Sequence, residues 1–310
     1  MRMRIGIVDL DTSHPQNWIP IERELGHEVV GVFDAGDVHP AGYAEKFAAE
    51  HGIPRVYASV AEMVPEVDCA IIHSCNWDTH VEKARPFVEA GKSVLIDKPV
   101  AGCKRDLDTI RDWMLDGARI AGGSSLRYCY ETQEWLARPV EERGTPHTVL
   151  CGCGVDEFNY GIHAYAHLAG LMPGRPLAVR SLSETTPRRI QITWPDLTEG
   201  YVIVGKVAGW IPFWATVVTE RGVAQFVADA GKLYRALLEA CLPYLAGETD
   251  EPPVGPEEFV APERCAVAAR ASRNSRNALL LINEPDEDDG YDGAAFAAEY
   301  RAMRYPGQGG

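Results

Sequence analysis

Ala90-Gly91-Lys92-Ser93-Val94-Leu95-Ile96-Asp97-Lys98-Pro99 places a glycine stop, a short apolar run containing a β-branched pair, and an Asp-Lys-Pro break in ten residues. Gly91 ends a helical run over residues 78–90, and Lys92 to Ile96 reads as a buried strand that Pro99 cannot extend. The same grammar repeats on either side. Residues 5–10, 29–33 and 69–73 are further short strands, 55–57 a shorter one, and residues 15–25, 41–51, 60–64 and 104–117 read as helices. Residues 119–121 form a last strand before Gly122-Gly123. Alternation of this kind specifies a parallel sheet wrapped by helices with right-handed crossovers. From about residue 124 the pattern changes. Helical runs at 130–142 and 162–172 flank a strand at 148–151, and strands at 179–182, 189–193, 201–207, 213–219 and 223–227 then follow one another. Helices are expected at 232–245, 256–274 and 293–301, packed on one sheet face or back on the first domain. The expected fold is α/β: an N-terminal Rossmann-like doubly wound parallel sheet over residues 1–122, and a C-terminal α+β domain with a largely antiparallel, open-faced sheet over residues 123–310.

The chain of 310 residues is 46% hydrophobic, enough for a proper core. Thirty basic against forty-five acidic side chains give a net charge of −15, which repels nucleic acid and anionic lipid. No apolar run approaches the ~18 residues of a membrane span. The start, Met1-Arg2-Met3-Arg4 before Ile5-Gly6-Ile7-Val8, lacks a signal peptide's apolar region, so a cytoplasmic protein is expected. Eight cysteines in so long a chain read as reduced thiols. The acidic stretch 283–290 reads as a solvated loop.

Ligands of doubly wound sheets lie beyond the carboxyl ends of the strands. The residues there are Asp9-Leu10-Asp11-Thr12-Ser13-His14, Asp34, Ser74-Cys75-Asn76 with His80 a turn later, and Asp97-Lys98-Pro99. A carboxylate such as Asp34 at the end of the second strand can accept both hydroxyls of an adenosine ribose and disfavours a 2′-phosphate, which favours NAD over NADP. An ordinary strand-end aspartate capping a turn is the alternative reading.

Residues 90–99, preceded by Asn76 and His80, resemble the Gfo/Idh/MocA oxidoreductase family, whose A-G-K-x-V-x-x-E-K-P pattern they match with Asp97 in place of glutamate. Asn159-Tyr160-Gly161-Ile162-His163 is similar to that family's second-domain motif, with Asn159 where many relatives carry aspartate. Thr219-Glu220-Arg221-Gly222 is similar to its G-T-K-G turn. The resemblance implies a nicotinamide dinucleotide lying across the first domain, with NAD favoured over NADP by Asp34. A sugar-like, cyclitol-like or similar small polar substrate would rest against the second. Lys98 would polarise or deprotonate the reacting oxygen and His163 would relay the proton. Asn159, His167, Arg127 and Tyr160 would contact substrate. Asp11, Thr12, Ser13, His14, Asp34, Ser74, Cys75, Asn76, His80, Asp97 and Lys98 would line the cofactor. A homodimer or homotetramer built through the open sheet face is implied as well.

The family's G-x-G-x-x-G glycines would fall at Asp9, Asp11 and His14, and all three are absent. Those glycines permit a tight turn and close approach of backbone to diphosphate, whereas Asp9 and Asp11 bring negative charge there. Thr12, Ser13 and the helix N-terminus still offer donors, and the turn resembles a D-T-S-H variant of one branch of the family. Two other outcomes stay open: a binding or regulatory protein that has lost dinucleotide affinity, and a redox-neutral enzyme that recycles tightly held NAD. Cys151-Gly152-Cys153 with His163 and His167 is a ligand set zinc accepts, but Cys-x-Cys is not a tight metal spacing and no metal is expected. Trp210, Phe213 and Trp214 would either floor a sugar pocket or cover the sheet at a subunit contact, the contact being preferred.

Overall fold

A computed structural model describes residues 1–172, 174–209 and 211–306. The first half alternates as its sequence pattern requires: β1 (Arg4–Val8), α1 (His14–Glu24), β2 (Glu28–Phe33), α2 (Tyr43–His51), α3 (Val60–Met63), β3 (Cys69–Ile72), α4 (His80–Glu89), β4 (Ser93–Asp97), α5 (Lys104–Leu115) and β5 (Ile120–Gly123). The five strands are parallel in the order β2-β1-β3-β4-β5, and a single parallel bridge from Val32 to Val56 adds a rudimentary sixth lane beside β2. The strand order therefore reverses between β1 and β3, and a crevice opens there at the carboxyl ends.

The second half contains α6 (Tyr130–Leu136), α7 (Val140–Arg143), β6 (Pro146–Gly152), α8 (Ile162–Leu171), β7 (Ala178–Ser181), β8 (Arg188–Thr193), β9 (Glu199–Val204), β10 (Trp214–Thr219), β11 (Gly222–Val227), α9 (Leu233–Leu245), α10 (Pro256–Asn274), β12 (Leu280–Leu281) and α11 (Gly293–Arg304). The helix expected over residues 130–142 is two helices. Pro139 lacks an amide hydrogen and its ring excludes continuous helix, so the chain turns between Leu136 and Val140. The strands form one seven-stranded sheet, β11-β10-β6-β9-β8-β7-β12, antiparallel except for the β6–β9 pair. Alternate residues such as Val149, Cys151, Val202 and Val217 bury against Ile162, Tyr165 and Leu168 of α8 and Ala266 of α10. The other sheet face leaves Leu150, Tyr201, Ile203, Thr216 and Val218 half-exposed.

Three late helices return to the first domain, among them α10, whose Phe259 and Val260 share a buried cluster with Leu107 and Ile110 of α5. Leu237, Leu238 and Leu242 of α9 share a buried cluster with Ile5, Ile7, Trp18 and Ile19. Ala297 of α11 packs on Val38 and Cys75, beyond the ends of β2 and β3. Asp78 Oδ2 accepts the Gly293 and Ala294 amides at the start of α11, and Trp77 Nε1 donates to the Tyr291 carbonyl at 2.8 Å. Among the described residues no helix is long and apolar enough to cross a membrane.

Candidate active site

The β1–α1 turn, which lacks all three glycines of the fingerprint, is held by side chains. Asp9 adopts φ = 64°, the left-handed conformation that glycine would supply without strain. Its Oδ1 accepts the Ala35 amide at 2.9 Å, and its Oδ2 accepts from the Ser74 hydroxyl and the Lys83 ammonium. Burial works against the Lys83 charge, but Asp9 holds its pKa above the ordinary lysine value. Asp11 reaches the same β3 end, accepting the Cys75 amide at 2.8 Å through Oδ2. Burial, and then the Asp9 charge, push the Asp11 carboxyl up to about 7. The β1 and β3 ends are thus tied across the switch point, with the Asp9 charge compensated by Lys83 and ionisation of Asp11 opposed by burial.

At the next strand boundary Asp97 collects donors. His14 Nδ1 lies 2.5 Å and His73 Nδ1 2.9 Å from its Oδ2, while Oδ1 accepts the Lys98 amide at 2.7 Å. Burial opposes ionisation of Asp97, yet the two imidazoles hold its pKa well below the usual carboxylate value. His14 stacks on Trp18 and meets the Tyr234 ring edge-on at 5.0 Å. Lys98 crosses to the second domain, where Nζ donates to the Asn159 carbonyl at 3.0 Å and to its Oδ1 at 3.1 Å. Burial lowers the Lys98 pKa. His163, on α8, lies 2.7 Å from the Ser124 hydroxyl through Nδ1 and edge-on to Tyr160 and Phe213. Burial, and then the nearby Lys98 charge, drive its pKa well below the ordinary histidine value.

The structure therefore brings Lys98, Asp97, His14, Asn159, Tyr160 and His163 to one interdomain cleft, and Asp11, Ser74 and Cys75 to the adjoining crevice. Ser13 bonds to the Tyr234 hydroxyl, Thr12 Oγ1 accepts the His14 amide, and Asn76 caps the turn after β3. Three expected residues turn elsewhere. His80 is fully buried with both ring nitrogens on backbone carbonyls, those of Val100 and Ser74. His167 faces the Cys129 sulfur inside the core, and burial lowers its pKa to about 4. Arg127 donates to the Glu258 carbonyl and lines a separate cleft with Gln133, Gly170 and Glu239. Cys151, Cys153, His163 and His167 do not gather as a ligand set. The one compact set among the described residues is His14, His73 and Asp97. Phe213 stacks on Tyr160 at the cleft, Trp214 lies over Gly152, and Trp210 falls outside the described residues. The motifs gave no sign of Lys83, His73, Ser124 or Tyr234, since none of them belongs to a recurring spacing.

A dinucleotide is the group that the fold and turn imply, and the residues present fit it at the ribose end. Asp34 receives the Leu10 and Gly36 amides, and its Oδ1 is buried without a partner. It faces a cavity of about 440 Å³ shared with His39, Tyr43, Tyr57 and Arg301. An acceptor left unsatisfied in that position suits a ribose hydroxyl. Burial, and then Asp9, raise its pKa to about 6.

Residues 3–112 match the family GFO_IDH_MocA, described as an oxidoreductase family with an NAD-binding Rossmann fold. The chain is 33% identical over 121 residues to 1,5-anhydro-D-fructose reductase of Ensifer adhaerens, covering 38% of this chain and 34% of that protein. It is 31% identical over 98 residues to trans-1,2-dihydrobenzene-1,2-diol dehydrogenase of Danio rerio, covering 31% of this chain and 27% of that one. The match thus spans about a third of the length of these curated relatives. Over nearly the whole chain the fold is that of myo-inositol dehydrogenase from Lactobacillus casei, solved with NAD(H) and myo-inositol. The TM-score is 0.77 at 18% identity, with 92% of this chain and 98% of that one covered.

Proposed function

We propose, from the match of residues 3–112 to an oxidoreductase family with an NAD-binding Rossmann fold, that the protein transfers hydride between a nicotinamide dinucleotide and a hydroxyl-bearing carbon of a sugar, a cyclitol or a similar small polar molecule. The observation that carries this reading is Lys98, an ammonium of the first domain pinned on Asn159 of the second. A cation at that junction can stabilise charge on the oxygen of a substrate lying between the domains.

Asp34 would hold the adenosine ribose, and the Thr12 and Ser13 hydroxyls with the first amides of α1 would meet the diphosphate. When bound, the nicotinamide supplies the two-electron acceptor or donor. Asn159 orients the lysine, and Tyr160 with Phe213 walls the cleft beside His163. Ser124 Oγ accepts the Leu126 amide at 3.2 Å and lies 2.7 Å from His163 Nδ1, which fixes the ring. With the hydroxyl proton given to Nδ1, His163 would offer Nε2–H to the substrate oxygen.

NAD is the favoured coenzyme, because an ionised Asp34 repels a 2′-phosphate. Calorimetric titration with NAD and NADP tests this: NAD binds more tightly, its affinity rises between pH 5 and 7 as Asp34 ionises, and Asp34→Ala erases both effects. A screen of cyclitols and sugars by nicotinamide absorbance tests the activity, and Lys98→Met should lower kcat by about 10²–10⁴-fold. Binding of neither coenzyme would overturn the reading in favour of a non-catalytic protein of this fold. Co-purified, non-exchanging NAD with no net reduction would favour redox-neutral recycling.

A further inference from the structure

We propose that His14, held by Asp97, is the acid–base group of this site: its Nε2 takes the hydroxyl proton of the substrate in oxidation and returns it in reduction. This deepens the oxidoreductase reading above and rests on it.

Three observations carry the assignment. First, the Asp97 carboxylate takes the Nδ1–H of His14 at 2.5 Å, which fixes the tautomer and leaves Nε2 with its lone pair. Among the described residues Nε2 has no hydrogen-bond partner, it is not one of the buried unpartnered atoms, and 14% of the side chain is exposed, so Nε2 is open to a ligand. Second, the ring cannot swing away. Trp18 stacks on one side, Tyr234 closes from another, and His73 backs Asp97 from a fully buried position. Third, the other candidates are committed elsewhere. His163 is buried with Nδ1 engaged by the Ser124 hydroxyl, and Lys98 is tethered by two Asn159 oxygens. The same Asp97 positions the Lys98 backbone through Oδ1, so one carboxylate registers both the cation and the base.

In the oxidative direction the O–H proton passes to Nε2, making an imidazolium paired with the Asp97 carboxylate. The electron pair of the adjacent C–H bond leaves as hydride to the oxidised nicotinamide. Reduction runs these transfers backwards. The position is one where the family fingerprint carries its third glycine, so the residue that costs the turn its usual phosphate approach supplies a base instead.

A divalent cation at His14, His73 and Asp97 is the competing use of these atoms. Ligands bonded to zinc at ~2.1 Å in tetrahedral array stand about 3.4 Å apart, wider than the 2.5 and 2.9 Å found here. A metal on His73 Nδ1 would also leave Nε2–H as a buried donor with no acceptor.

Heteronuclear NMR of the full-length protein labelled with ¹⁵N-histidine tests the dyad without needing a substrate. A signal absent from His14→Gln should report an Nδ1–H tautomer with a strongly deshielded proton, and Asp97→Ala should abolish that proton signal. An Nε2–H tautomer, or stoichiometric metal in the purified protein, overturns the proposal. With a substrate from the screen and NAD held at saturation, His14→Gln should lower kcat by about 10²–10⁴-fold. Wild-type kcat in that variant overturns the catalytic role even if the tautomer is as expected. Should no substrate be turned over, the tautomer still decides whether the dyad exists, and it is the hydride-transfer reading that falls.

Discussion

Asp9 illustrates how a residue that violates a motif can be reconciled with its fold. A carboxylate in a left-handed turn at the end of β1 is unfavourable by conformation and by burial, and the protein offsets both with the Ala35 amide, the Ser74 hydroxyl and the Lys83 ammonium. Removing Lys83 leaves a buried charge without its partner. Lys83→Met should therefore destabilise the protein by about 3–5 kcal/mol, with much of the loss recovered in Asp9→Asn/Lys83→Met, as read by chemical denaturation. Equal instability of the single and double variants would show that the pair does not matter. The sequence exposed Asp9 as an anomaly and gave no hint of its partner. Lys83 is one basic residue among thirty, and only the packing of α4 on β3 and β4, which carries its ammonium to Asp9, singles it out. His80 is the converse case: its type and position suggested the cofactor side, yet the start of α4 turns it inward to bridge two carbonyls.

Among the elements, α11 stands furthest in sequence from what it contacts. Its amphipathic run was legible, but its destination was not, because nothing in a helical pattern specifies which apolar surface it will meet. Asp78 supplies the link by accepting the Gly293 and Ala294 amides, in addition to the cap the helix receives from its own Asp292. Asp78→Ala should cost about 0.5–2 kcal/mol. Hydrogen exchange should show that loss as faster exchange in α11, with β3 and β4 unaffected. Uniformly faster exchange would mean that α11 does not open independently. The split of the expected 130–142 helix at Pro139 was foreshadowed by composition, since proline in a helix interior removes a hydrogen bond and clashes with the preceding turn.

For the whole molecule, buried acids set the response to pH. Glu22 is fully buried, neither of its carboxyl oxygens has a partner, and burial raises its pKa to about 8. A carboxyl whose pKa is raised on folding favours the native state fully below its unfolded value near 4.5, and that contribution is lost as pH rises through 8. Glu22→Met should stabilise the protein by about 1–3 kcal/mol at neutral pH. The difference in Tm from wild type should widen toward pH 9, and a constant difference would refute the assignment. The open sheet face is the other global feature. Leu150, Tyr201, Ile203 and Val218 form a half-exposed apolar stripe of the kind that pairs two copies. Light scattering should find a dimer or tetramer that Ile203→Arg breaks down, and a monomeric wild type would rule this assembly out.

Periodicity by itself determined the strands of the two sheets and their order along the chain, apart from the two-residue β12 and the expected strand at 55–57, which is a single bridge, because alternation of apolar and polar residues is a local property that burial enforces. Tertiary structure alone decided that Asp97 would gather His14 and His73 onto one oxygen, that Lys98 would cross to Asn159, and that His167 and Arg127 would face away from it. Those outcomes depend on where distant segments meet, and the direction of a side chain at such a meeting is fixed by packing and hydrogen-bond satisfaction between elements, which no single stretch of sequence encodes.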